Sequence, residues 1–121
     1  MNTHTTLHGL AAGLIALALA AAPASAVTFD WNVDNDGDWD NAANWTGGAG
    51  FPDDGNDASI QFDITADRTV TLPGGGIDVG TATIGDPNAT HTYVLTGGEL
   101  RTGNGLTIAN ESDTHNHAVT F

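Results

Sequence analysis

From residue 57 onward the chain alternates between apolar and polar positions. Ala58, Ile60, Phe62 and Ile64 interleave with Ser59, Gln61, Asp63 and Thr65. This is the period of two that gives a strand one buried and one wet face. Further short strands are predicted over 69–72, 76–80, 81–85, 92–95, 105–108 and 117–121. Each is bounded by Gly, Pro, Asn or Asp, the residues that supply turns. Helical periodicity is nearly absent after residue 27, so the predicted class is all-β.

The strands also repeat. Residues 70–85 align with 93–109, placing Leu72 on Leu95, Val79 on Thr102, Gly80 on Gly103 and Ile84 on Ile108. The sequence Ala-Val-Thr-Phe at 118–121 starts a third copy. A period of 23 or 24 residues built from strands and glycine turns predicts a short right-handed β-solenoid. One coil cannot bury its apolar face alone, whereas stacked coils form a continuous core. The alternative is a small antiparallel β-sandwich. A solenoid needs a polar cap over its last coil, and the third copy stops at Phe121 without one. The expectation is therefore a part of a longer protein, with open strand edges that favour edge-to-edge self-association.

The first 26 residues have a different character. Residues 7–22 are almost wholly apolar and carry no formal charge, and Ala24 and Ala26 supply the small-residue pattern of a signal-peptidase site. The run is short for a membrane span. Cleavage is expected after Ala26, followed by export to the exterior or the cell surface. The expected organisation is a leader over 1–26, a Trp/Asp-rich cap over 27–57 and coils over 58–121.

Charge narrows the range of partners. Fifteen acidic residues face two arginines and no lysine, a formal net charge of −13. All of these charges lie beyond the leader. Such a surface repels nucleic acid and anionic lipid. With no cysteine, thiol catalysis, zinc–thiolate sites and disulfide staples are excluded.

Candidate chemistry concentrates at residues 30–45, where five aspartates surround three tryptophans. Read from Asn32, the ligand-type residues Asn32, Asp34, Asp36, Asp38 and Asp40 alternate around Gly37. Calcium loops use this spacing of hard oxygen ligands with a glycine at the sharp turn. Position twelve is Ala43 instead of a bidentate Glu, and the helical flanks are missing. Calcium is thus an optional stabiliser, not a required cofactor. Trp31, Trp39 and Trp45 could stack on sugar faces as a glycan-binding module, or be buried beneath the cap; burial is the commoner fate of tryptophan.

The same residues carry a resemblance. Gly37, Trp39, Asn44, Trp45, Pro52, Asp57, Ala58, Ile60, Phe62 and the Leu-Thr-Gly-Gly-Glu-Leu run at 95–100 occur in an order that resembles exported bacterial proteins of the autotransporter-associated β-strand repeat type. Similar openings occur in large secreted proteins with PEP-CTERM or dockerin-like ends. The resemblance covers 29–121 and implies an extracellular, non-catalytic solenoid or stalk, involved in adhesion, matrix or display. It also implies that the tryptophan motif is an N-terminal cap. An extracellular glycan or surface matrix is the partner to expect on this reading.

Other motifs carry less. Asp113, His115 and His117 alternate as a metal-binding strand face would. Three glycosylation-type sequons begin at Asn44, Asn88 and Asn110. No carboxylate pair is marked out for glycosidase chemistry, so a polysaccharide-active β-helix fragment ranks third and the chain is expected not to be an enzyme.

Overall fold

The computed structural model describes residues 25–109. Residues 1–24 of the leader expected over 1–26, the third repeat copy, the Asp113–His117 motif and the sequon at Asn110 lie outside the described residues. The described chain is all-β. Its strands are β1 (Thr28–Trp31), β2 (Gly37–Asp38), β3 (Trp45–Thr46), β4 (Asp57–Ile60), β5 (Arg68–Leu72), β6 (Ile77–Ile84), β7 (Tyr93–Gly97) and β8 (Leu100–Ile108). A single 3-10 turn at Ala42–Asn44 is the helical content of the described residues. Its start is capped by Asn41, whose side chain accepts from the Ala43 N–H.

Two sheets form. One has the order β3-β1-β4-β6-β8 and the other β2-β5-β7. From β4 onward the chain alternates between them, so each new strand is laid beside one placed a round earlier. Among the described residues, every ladder except β1 with β3 is parallel. An antiparallel sandwich predicts the opposite pairing.

The registers show why the apolar residues alternate. Phe29 lies beside Ala58, Ala58 beside Ala82 and Ala82 beside Leu106; Ile60 lies beside Ile84 and Ile84 beside Ile108. In the other sheet Val70 lies beside Leu95. Parallel in-register pairing places like positions in columns, and period two turns each column inward. Ile60, Val70 and Ile84 are fully enclosed. Burying an aliphatic side chain of this size contributes about 1.5–3 kcal/mol.

Several strand boundaries differ from the sequence expectation. The alternation at 57–65 is strand only to Ile60; Phe62 and Ile64 continue as loop, yet Ile64 is still buried. The two strands expected at 76–80 and 81–85 are one, β6, kinked by a register shift between Val79 and Thr81. The repeat alignment is right for Val79 with Thr102 and Ile84 with Ile108, but Leu95 pairs with Val70, not with Leu72.

Candidate functional site

The stretch over 30–45 supplies the edge strands β3 of the first sheet and β2 of the second. β1 enters the sheet parallel to β4, and β3 returns antiparallel to β1, pairing Trp31 with Trp45. Between them the chain crosses to the second sheet as β2, beside β5. A stretch this rich in aspartate can make the crossing because its side chains find partners on the next round of chain.

The three tryptophans form one cluster. Trp31 and Trp45 meet edge to face with ring centroids 5.2 Å apart, and Trp39 and Trp45 likewise at 4.9 Å. Their indole N–H groups all donate to backbone carbonyls: Trp31 to Val33, Trp39 to Pro52 and Trp45 to Trp39, at 2.7–2.9 Å. Trp39 is completely enclosed and Trp31 and Trp45 are at most 5% exposed. A ring with no open face cannot stack on a sugar. Trp31, Trp39 and Trp45, the rings considered for glycan stacking, lie in the core.

Asn44 completes the cluster. It is buried, and its amide donates to the Asp38 carbonyl at 2.9 Å. Gly37 packs so close that a Cβ there would lie 2.5 Å from the Asn44 amide nitrogen and 3.0 Å from the Trp31 ring. The glycine that suggested a metal loop is thus needed for close approach. The enclosed Asn44 amide also leaves its sequon no free acceptor nitrogen.

The candidate calcium ligands do not converge. Asp34 accepts from Thr65 through both its backbone N–H (3.1 Å) and its hydroxyl (2.6 Å), and from the Arg68 guanidinium at 2.8 Å. Asp36 accepts from the Thr69 N–H at 2.8 Å. Asn32 and Asp40 are exposed, and Asp38 contributes its backbone carbonyl to the cap while the residue is exposed. Among the described residues, no group of three or more His, Asp or Glu side chains is gathered to hold a metal ion. The ligand set read as Asn32, Asp34, Asp36, Asp38 and Asp40 is therefore not assembled. Asp34 and Asp36 reach forward to Thr65, Arg68 and Thr69 instead of inward to a common centre.

This forward bonding recurs along the molecule. Asp57 accepts from the Thr81 N–H at 2.7 Å and Asp67 from the Thr92 N–H at 2.9 Å. Asp63 accepts from the Asn88 amide. Asp86, buried, accepts from the N–H groups of Thr90 and His91 at 2.9 Å and reaches back to the Ile64 N–H at 3.4 Å. Asp78 holds Arg101 in a two-pronged ion pair at 2.7 and 2.9 Å. Carboxylate bonds to N–H groups and guanidinium are the strong, charge-assisted kind. The sequence did carry this signal. Asp57 precedes Thr81, and Asp67 precedes Thr92, by about the repeat period; the Asp–Thr pairing was not read from it.

Electrostatics follow these contacts. The Thr65 hydroxyl and N–H, with Arg68 adding its charge, lower the Asp34 carboxyl to about 2. Arg101 lowers Asp78 in the same way. Burial raises the Tyr93 hydroxyl well above its usual range, and the nearby Asp86 and Asp34 charges add to this. Tyr93 remains a proton donor, to the Phe62 carbonyl at 2.9 Å. An acidic cleft of about 330 Å³ lies between Asp40, Phe51, Asp53, Asp54, Ile77 and Asp78, and Asp78 there is already held by Arg101.

Ala26 lies exposed just ahead of β1. Val27, next in the chain, donates to the Asn56 side chain and accepts from the Asp57 N–H. No helix among the described residues is long and apolar enough to cross a membrane. No protein-family model, curated protein or solved structure matches the chain.

Proposed function

We propose that this chain is an exported, non-catalytic structural module: coils of a right-handed β-solenoid closed at the N-terminal end by a tryptophan cap, serving as a stalk, matrix or display element. The observation that carries the reading is where the carboxylates are used. Asp34, Asp36, Asp57 and Asp67 each accept a backbone N–H from a threonine on the next round of chain. Groups that a catalytic or metal site would leave free are engaged in joining successive rounds. In-register parallel ladders in both sheets support the solenoid, because such pairing repeats without limit along one axis.

The test is the tryptophan emission of the secreted chain against a panel of polysaccharides, with its N-terminal residue determined in parallel. A structural module predicts blue-shifted emission that no glycan moves, and a chain beginning at Val27. Emission quenched or shifted by a glycan, or release of sugar ends from one, would sink the structural reading.

A further inference from the structure

We draw no further inference here: the strongest candidate, the acidic cleft between Asp40, Phe51, Asp53, Asp54, Ile77 and Asp78, is a cluster of carboxylates on a partly apolar floor, and nothing in the structure shows what it would hold.

Discussion

At the scale of single residues, the acidic side chains behave as structural fasteners. Asp34 shows the sign of the effect. Its carboxyl lies at about 2 in the folded chain, below the 3.8 of a free aspartate, because Thr65 and Arg68 stabilise the ionised form. A depressed value means the contribution is complete above the unfolded value, near pH 4, and is lost as the pH falls from there towards 2. Asp34→Asn should therefore lower the thermal midpoint at pH 6, and the gap to the parent should narrow at pH 2. A gap that stays constant across that range would show that the carboxylate charge is not what stabilises. Glycines act at this scale too. Gly47 has a φ of +103°, and a Cβ there would lie 2.2 Å from the Thr28 carbonyl oxygen. Gly47→Ala combines backbone strain with a collision against a strand that cannot yield, and should cost more than about 1 kcal/mol in chemical denaturation.

At the scale of elements, the tryptophan-bearing stretch over 30–45 and the strands that follow it depend on each other. Trp39 links β2 to the loop at Pro52, donating to one and accepting from Trp45 at its own carbonyl. Trp39→Ala should cost about 3–5 kcal/mol and red-shift the remaining emission, read by denaturant titration with fluorescence detection. A loss under about 1 kcal/mol would show that the cluster does not close the core. Strand positions were legible in the sequence where period two and turn residues report burial directly, as in β5 and β7. Register was only partly legible. Pairing Leu95 with Leu72 instead of Val70 is a slip of two residues, and a slip of two keeps every side chain on its own face. Hydrophobic pattern alone therefore cannot detect it. The fate of the aspartates was not legible for a related reason. Alternating Asp residues around Gly37 suit a shared cation or a row of separate N–H donors equally well, and the donors lie about 30 residues away, at Thr65 and Thr69. The burial of the tryptophans followed from their size, since few small domains can leave three such rings in water.

At the scale of the whole molecule, a strongly acidic chain without cysteine or lysine has to hold a thin core together against its own repulsion. Columns such as Phe29–Ala58–Ala82 and the pair Ile60–Ile84 supply the core, and Asp-to-backbone bonds between neighbouring strands turn repelling groups into attachments. The alternative is that a divalent cation supplies the neutralisation at the opening loop. The measurement that separates them is the thermal midpoint of the chain and of Asp36→Asn, each with calcium, with magnesium at matched ionic strength, and with chelator. Fasteners predict that Asp36→Asn lowers the midpoint by the same amount in all three conditions, with calcium acting no differently from magnesium. A midpoint that calcium alone raises, and that Asp36→Asn makes insensitive to calcium, would contradict the account and restore the metal loop.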